Sequence, residues 1–470
     1  MRPPRVLLPA VAAVALGALV FLAVAPAHFL NYDTEYAVLW GHDLVHGRTP
    51  DYDVAFAPTP HPLATLVAAI ASLAGGAFAE GLFQVLAFLA LGVLGWLVFA
   101  LGRAWFGTAA GVVAAVIVLT REPVLSYGVR AYVDLPYLCL VLGALLVETR
   151  RRHAATPVLV LLGLAGLLRP EAWLFALAYA AWLWHGRALR PVHVVLVVAP
   201  PLLWALTDLA ITGDPLHSLT GTRDTAQQLG RVTGLSRLPS TLPRRLGEIL
   251  RVPGLIAAAG GLVLTLVHLR GRATTGAAAT AVALVAFCLL AAAGLSILTR
   301  YLLLASTLLA IFAGAAVAGW TELPRGDPWR VRWMAFGALV VVLFVAFAPS
   351  QLDRLRSTRR ALVTQSHILA ELHDLATTRL PPPPCPVTVP NRRAVPQLAL
   401  WTDRRPRAIR AAQETGRYVP PAFVPASARI AGQFVLDARD RVRALPPAPA
   451  GAPTVRGRYW WLYGLDSRCE

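Results

Sequence analysis

Charge is scarce in this sequence. Charged residues make up 14% of the 470 positions, whereas soluble domains have about a quarter. Lysine is absent, so all 43 basic side chains are arginines, and only four cysteines and two methionines occur. The shortage of charge, together with a hydrophobic fraction of 57%, excludes an ordinary soluble protein and indicates a membrane protein.

Eleven apolar runs have about the length that a membrane-crossing helix needs, which is roughly 20 residues. Arginines are concentrated in alternate connections between these runs, and short cytoplasmic connections are the ones enriched in arginine. We therefore expect a mainly α, polytopic membrane helix bundle of about 11 transmembrane helices, with the N-terminus inside and the C-terminus outside. The predicted spans are 6–27, 80–101, 107–120, 134–148, 154–168, 171–185, 192–211, 252–269, 273–298, 301–318 and 331–347.

Two segments near the N-terminus allow other interpretations. If the apolar run 61–73 were a span, arginine-rich turns would lie outside the cytoplasm. We therefore interpret it as an interfacial or re-entrant helix. Arg2, Arg5 and the sequence APA at 25–27 resemble a signal peptide with its cleavage site. The first apolar run is longer than the roughly 7 to 15 residues of a signal-peptide core, which favours a retained span.

The loop 28–79, which this orientation puts outside, collects carboxylates and histidines. Asp33 and Glu35 directly follow the first span. A carboxylate half withdrawn from water has a raised pKa and is a better proton acceptor near neutral pH. Carboxylate oxygens could also hold a divalent cation, Mg²⁺ or Mn²⁺. The alternative is that these residues are solvated at a helix end or cap the next helix.

Several short motifs follow one another in a fixed order and on one predicted side of the membrane. With them the sequence resembles the GT-C class of polytopic membrane glycosyltransferases, in the group that includes protein O-mannosyltransferases and lipid A aminoarabinose transferases. The resemblance covers about the first 350 residues. The motifs are DTE at 33–35, GRTPDYD at 47–53, PHPL at 60–63, RAYVDLP at 130–136, LRPEA at 168–172 and TRY at 299–301.

The resemblance implies the transfer of a sugar from a polyprenyl-phosphate donor to an extracytoplasmic acceptor. An inverting transfer needs a carboxylate that takes the proton of the acceptor hydroxyl, and Asp33 is the candidate general base. Glu35 is the second catalytic candidate. In the O-mannosyltransferase group the two acidic residues are adjacent, whereas Thr34 separates them here, which leaves the role of Glu35 open.

The same resemblance implies residues that bind the donor phosphate or the acceptor. Arginine is suited to a lipid phosphate because it gives bidentate hydrogen bonds and stays charged. Asp134 would support metal or acceptor binding, so Asp33 and Asp134 are the candidate metal ligands. The alternatives are arginines that reach lipid headgroups, a helix N-cap at Asp134 and an interfacial histidine. The candidate binding residues are Arg130, Asp134, Arg169, Arg300, Tyr301 and His61.

The composition changes after position 348. The segment 350–380 is predicted to be an amphipathic linker helix followed by a polyproline spacer, and 381–470 a small extracytoplasmic α/β domain. The catalytic transmembrane domain would then be 1–349. Because the tail is predicted to face an oxidising compartment, we expect a disulfide between Cys385 and Cys469, the alternative being two unpaired thiols. Closing that loop would contribute about 4 kcal/mol.

The tail is also basic, with 19 arginines and nine acidic residues after position 350. A basic external domain would attract anionic headgroups, lipid phosphates or an acidic glycan acceptor, and nucleic acid is excluded by the absence of any binding motif. We expect a multi-pass protein of the plasma membrane whose partners are a polyprenyl-linked sugar and a cell-envelope glycan, lipid or protein acceptor. A transporter or lipid flippase is the alternative, although neither mid-span ionisable residues nor internal repeats are evident. An inactive scaffolding relative is the third alternative.

Overall fold

The computed structural model describes residues 7–24, 29–382, 385–435 and 444–464. These residues form eighteen α-helices and a five-stranded sheet. Helices dominate because a helix satisfies its own backbone hydrogen bonds, which an apolar surrounding requires. The α-helices are α1 (Leu7–Val24), α2 (Tyr32–Val45), α3 (Pro62–Ser72), α4 (Gly76–Phe106), α5 (Thr108–Leu119), α6 (Glu122–Val129), α7 (Asp134–Arg150), α8 (Ala155–Gly166), α9 (Glu171–His185), α10 (Pro191–Thr212), α11 (His217–Gln228), α12 (Leu238–His268), α13 (Arg270–Ala292), α14 (Leu303–Ala318), α15 (Pro328–Arg379), α16 (Val395–Trp401), α17 (Ala412–Thr415) and α18 (Ala428–Ile430).

Each of the eleven predicted spans coincides with one of these helices, and the run 61–73 coincides with α3. The chain is thus mainly α and a multi-pass membrane protein, as predicted. By length and apolarity six described segments could cross a membrane, and a seventh is obtained if α5 and α6, bent by 64°, count as one broken span. The number of about 11 spans therefore stays a prediction. The six segments are Gly76–Phe106, Pro191–Thr212, Leu235–His268, Arg270–Ala292, Thr299–Glu322 and Pro328–Arg379.

Two helices that contain proline behave differently: α12 is kinked near a proline and α15 is not. Helix α12 is kinked at Arg251, whose φ of 64° and ψ of 168° lie outside the helical region. Pro253 follows two residues later, and a proline inside a helix removes a hydrogen bond and clashes with the preceding turn. Helix α15 runs through Pro349 without a described break, so the predicted last span and the predicted amphipathic helix are one continuous element.

The chain folds into two compact units. The first consists of Met1–Ala23, Val85–Trp204 and Val232–Thr358. Its core is α14, which is buried along almost its whole length against α12 and α5. Close approach of these helices depends on glycine: a Cβ at Gly261 would overlap the carbonyl oxygen of Phe312, and one at Gly314 that of Ala110.

The second unit consists of Val24–Gln84, Ala205–Arg231 and Arg359–Glu470. It contains α2 packed on α3 and a mixed sheet with strand order β2-β1-β3-β5-β4. β1 is parallel to β2 and β3, whereas β5 is antiparallel to β3 and β4. The strands are β1 (Val387–Val389), β2 (Ile409–Ala411), β3 (Ala422–Pro425), β4 (Val455–Arg456) and β5 (Trp460–Tyr463).

The C-terminal half of α15 packs against this sheet. One Glu371 carboxylate oxygen accepts hydrogen bonds from the backbone N–H groups of Tyr459 and Trp460, both at 2.9 Å. The Trp460 indole N–H donates to the Ile368 carbonyl at 2.9 Å. The predicted small α/β tail is thus confirmed, and the domain boundaries at 349 and 380 stay predictions. The apolar stripe predicted for this helix is buried at Leu362, Ile368, Leu369, Leu372 and Leu375.

Candidate functional site

In the first unit, three charged side chains from two sequence motifs form a buried ion cluster. The Arg169 guanidinium lies between the carboxylates of Asp134 and Glu171 and forms an ion pair with each. Asp134 is 1% exposed and Arg169 6%. Burying a charge is costly unless it is paired, so the three groups hold α7 and the turn before α9 in one arrangement.

The ion cluster continues into a group of arginines stacked on tyrosines. The Arg169 guanidinium carbon lies 4.6 Å from the centre of the Tyr301 ring. Arg300 lies 5.4 Å from the same ring and 5.6 Å from that of Tyr132. Arg130 lies 5.2 Å from Tyr132. With Asp134, the structure therefore brings together five of the six predicted binding residues. We call Arg130, Tyr132, Arg169, Arg300 and Tyr301 the arginine–tyrosine cluster.

The surroundings of these arginines set what each can bind. Arg169 already faces two carboxylates, so its charge is compensated within the ion cluster. Arg130 donates to the Ser126 hydroxyl at 2.9 Å and to the Ser126 carbonyl at 3.0 Å, both neutral groups. Guanidinium groups on aromatic faces are held in position while their edges stay able to meet phosphate oxygens. Asp134 is the first residue of α7 and Val133 is the N-cap, so Asp134 does not serve as the cap.

In the second unit, the first acidic motif lies at the start of α2. Asn31 caps this helix: its side-chain oxygen accepts from the backbone N–H groups of Asp33 at 2.9 Å and Thr34 at 3.3 Å. Asp33 lies in the first helical turn and is half-buried. The capping role considered for the acidic residues thus belongs to Asn31. A carboxylate in a first turn is also stabilised by the helix dipole.

Glu35 lies further along the first turn of α2 and is 2% exposed. Burial, followed by the charge of Glu80 and a carboxyl–carboxyl hydrogen bond with it, raises the pKa of Glu35 well above its usual value. Glu80 also accepts a hydrogen bond from the Trp401 indole N–H at 3.0 Å. Burial and the neighbouring Glu80 charge thus both favour the protonated form of Glu35. The sequence indicated nothing about Glu80 beyond its position at the start of an apolar run.

Other carboxylates of the first loop are paired with arginines, two of which belong to the tail. Asp43 forms ion pairs with Arg48 at 2.8 Å and Arg405 at 3.5 Å. Asp51 pairs with Arg407 at 2.8 Å. Burial nevertheless raises the pKa of Asp43, because desolvation outweighs both guanidinium groups. Part of the tail's positive charge is thus directed to carboxylates of the same unit.

A cleft of about 230 Å³ lies in the same unit, between the turn 52–60 and α11. Its polar lining includes Asp53, Thr222, Asp224 and Gln228, with the ring of Phe56 also in the lining, and no arginine is among its described lining residues. Helix α11 is fixed by Asp208, whose carboxylate accepts from the backbone N–H of Ser218 at 2.8 Å and from its hydroxyl at 2.9 Å. The cleft suits a polar ligand without phosphate groups.

The remaining predicted site residues are less well defined. His61 is the N-cap residue of α3, in the second unit. Among the described residues no group of three or more His, Cys, Asp or Glu side chains could hold a metal ion, so the cation stays a prediction. Cys385 is disulfide-bonded and Cys139 and Cys288 are free. Cys469 lies outside the described residues, and the pairing with Cys385 stays a prediction.

Comparison with solved structures identifies the fold. ArnT from Cupriavidus metallidurans bound to undecaprenyl phosphate is similar with a TM-score of 0.57 and 14% identity, over 93% of this chain and 96% of ArnT. The chain shares the fold of ArnT. The likeness confirms, at the level of the fold, the GT-C resemblance that the ordered motifs predicted.

Two further comparisons give weaker likeness. ArnT in the apo state is similar with a TM-score of 0.52 and 15% identity, over 84% of each chain. The Archaeoglobus fulgidus oligosaccharyltransferase in the apo form has a TM-score of 0.48 and 12% identity, over 85% of this chain and 63% of the oligosaccharyltransferase. No protein-family model and no curated protein matches the sequence.

Proposed function

We propose that this protein is a membrane glycosyltransferase that moves a sugar from a polyprenyl-phosphate donor to an acceptor outside the cytoplasm. The observation that carries the proposal is the arginine–tyrosine cluster, found in a chain whose fold is that of ArnT. ArnT was solved bound to undecaprenyl phosphate, a lipid whose phosphate is the leaving group in such a transfer.

Arg300 and Arg130 are assigned to the donor phosphate. Both stack on Tyr132, whereas Arg169 is engaged by Asp134 and Glu171. When the bond between the anomeric carbon and the phosphate oxygen breaks, the electron pair goes to the phosphate, and guanidinium groups stabilise the developing charge. Arg169, Asp134 and Glu171 are assigned to positioning.

Asp33 is assigned as the general base. It takes the proton of the acceptor hydroxyl while the acceptor oxygen forms the new bond to the anomeric carbon, and the configuration at that carbon inverts. Glu35 is buried in the first turn of α2 beside Glu80, so we assign Glu35 to positioning. The cleft lined by Asp224 and Gln228 is assigned to a polar acceptor.

The experiment uses purified protein in lipid nanodiscs with radiolabelled sugars on polyprenyl phosphate or on nucleotides. We expect release of polyprenyl phosphate and no reaction with the nucleotide sugars. Arg300→Gln should raise the KM for the donor about tenfold, by loss of a charge-assisted hydrogen bond. Arg325→Gln, an exposed arginine in the turn before α15, serves as the control. Movement of lipid between leaflets without any glycosidic chemistry would support a transporter instead.

The side of the membrane on which the proposed site lies can be tested in a separate experiment. Asp214 and Gly326 are both exposed, in turns predicted to lie on opposite sides. A membrane-impermeant maleimide added to intact cells should label Asp214→Cys, whereas Gly326→Cys should be labelled only after permeabilisation. The reverse pattern would put the proposed site on the cytoplasmic side and would contradict an extracytoplasmic acceptor.

A further inference from the structure

A second cavity, of about 240 Å³, lies in the first unit and shares no residue with the arginine–tyrosine cluster. It lies beside three features of the fold: the junction between α5 and α6, the kink in α12 and the middle of α15. Its lining combines guanidinium groups with phenylalanine rings. The residues used below are Arg121, Arg251, Arg354, Phe344, Phe347 and Gln351.

Arg251 is repelled by each of the other two arginines, Arg121 and Arg354. Its favourable interactions are with Glu122 and Glu248. Among the described residues, no carboxylate lies close enough to any of the three arginines to form an ion pair. Like charges gathered at one cavity raise the free energy of the folded chain unless an anion lies between them.

Arg121 is a fixed part of this cavity. It is buried, and it donates from Nε to the Ile117 carbonyl at 3.0 Å and from Nη1 to the Leu250 carbonyl at 3.3 Å. Its Nη2 donates to the Thr120 hydroxyl at 3.2 Å. A guanidinium has five N–H donors, so two remain for a ligand. All of its described partners are neutral, and none compensates its charge.

The kink in α12 brings Arg251 to the same place. Its φ of 64° is in the left-handed region that glycine favours and other residues avoid. The residue at this position is long and charged, although glycine would fit the backbone better. Gln351 joins α15 to the end of α5 by donating to the Thr120 carbonyl at 2.8 Å, which keeps Arg354 on the neighbouring turn of α15 beside the cavity.

The apolar part of the lining indicates what kind of anion fits. Phe347 is 45% exposed, and Val252 and Leu352 nearby are exposed as well. These side chains belong to helices long and apolar enough to cross a membrane. In a membrane they would therefore contact lipid acyl chains. All three arginines lie in segments predicted to face outside. Arginine is enriched in cytoplasmic turns, so that enrichment does not explain these three residues.

We propose that Arg121, Arg251 and Arg354 form a binding site for the phosphate of a membrane lipid, with Phe344 and Phe347 against its acyl chains. The ligand is a lipid phosphate, either of an anionic glycerophospholipid or of polyprenyl phosphate itself. The proposal does not depend on the glycosyltransferase reaction, because the site would hold its lipid whether or not sugar is transferred.

The test is native mass spectrometry of the full chain with phosphatidylglycerol in one arm and undecaprenyl phosphate in the other. The variants are Arg251→Gly, which suits the left-handed backbone, and Arg251→Gly combined with Arg354→Gln. Arg356→Gln is the matched control, because Arg356 lies two residues along α15 and pairs with Asp353 at 3.3 Å. Thermal unfolding of every variant checks that it is folded.

We expect the double variant to bind at least one of the two lipids about tenfold more weakly than the wild type, because two charge-assisted contacts are lost. Arg251→Gly alone should give part of that loss without lowering the unfolding temperature, and Arg356→Gln should bind as the wild type does. The lipid that is lost identifies the source of the phosphate. Undiminished binding of both lipids by a folded double variant, or by folded Arg251→Gly, would overturn the proposal.

Discussion

Glu80 accepts a hydrogen bond from the Trp401 indole N–H at 3.0 Å, and it lies close enough to the buried Glu35 carboxyl to raise the pKa of Glu35. Burial and the neighbouring carboxylate both disfavour the ionised form of Glu35 and raise its pKa. Two like charges in contact would repel strongly. We therefore expect the stability of the start of α2, which carries Asp33, to depend on the protonation of Glu35.

This pair predicts how stability changes with pH. The folded chain binds the Glu35 proton more tightly than the unfolded chain does, so the stabilisation is complete below the unfolded pKa of about 4.3. It is lost as the pH rises toward and through the raised folded pKa. Glu35→Gln has no proton to lose, so the melting temperature of the wild type should fall relative to that of the variant as the pH rises above about 4.5.

Melting temperatures in detergent, measured from about pH 4.5 to about pH 9, follow this difference across the range where the stabilisation is lost. Asp353→Asn removes an exposed carboxylate of α15 and should keep the pH dependence of the wild type. A difference between wild type and Glu35→Gln that stays constant over the whole range would show that Glu35 is not the titrating group.

Substitution of Arg169 is predicted to lower stability, whereas substitution of Arg300 is predicted to weaken donor binding. Arg169→Gln leaves Asp134 and Glu171 buried without their counter-charge, which should destabilise the first unit by about 3–5 kcal/mol. Arg300→Gln removes two ring contacts, each worth about 1 kcal/mol or less, so its main effect should be on donor KM. Unfolding by denaturant and donor kinetics on the same preparations measure both.

A rescue variant sharpens this comparison. Neutralising all three groups, as Asp134→Asn, Arg169→Gln and Glu171→Gln together, removes the uncompensated charges and should recover part of the stability that Arg169→Gln alone loses. If Arg169→Gln were as stable as the wild type, the ion cluster would not hold α7 and α9 as described.

Gly261 is predicted to be essential for the packing of α12 on α14. Gly261→Ala would place a methyl group on the Phe312 carbonyl, and overpacking of this kind costs about 1–3 kcal/mol or more. Gly271→Ala in α13 is the control, since nothing lies within 4 Å of the added atom and alanine favours helix by about 1 kcal/mol. Melting temperatures should fall for the first and stay level or rise for the second. Equal melting temperatures would contradict the close approach.

Much of the fold could be predicted because hydrophobic runs report helices directly. The span predicted at 171–185 is α9 (Glu171–His185), and the predicted α/β tail contains the five strands of the sheet. The predicted break near 349 is absent because a change in composition marks a change of surroundings and does not by itself end a helix. Similarly, the segment between the predicted spans 107–120 and 134–148 contains α6 (Glu122–Val129).

The site was predictable only where a motif carried the information. Arg169 and Asp134 belong to separate motifs, and the structure pairs them. Glu80 was missed because its partner lies 45 positions earlier and no local pattern connects a carboxylate at a helix start to one in another helix. The pairing of Asp51 with Arg407 was likewise beyond prediction, although the opposite charges of loop and tail were visible.

The most direct test of the proposed function is a single-turnover assay of sugar transfer from a polyprenyl-phosphate donor, comparing wild type with Asp33→Asn. Asp374→Asn, an exposed carboxylate of the same unit, is the control. We predict that the wild type and the control form product with inverted anomeric configuration. Asp33→Asn should bind the donor equally well but react about 10²- to 10⁴-fold more slowly, as expected for loss of a general base. Equal rates for wild type and Asp33→Asn would contradict the assignment of Asp33, and no transfer by the wild type from any polyprenyl-phosphate sugar would contradict the function itself.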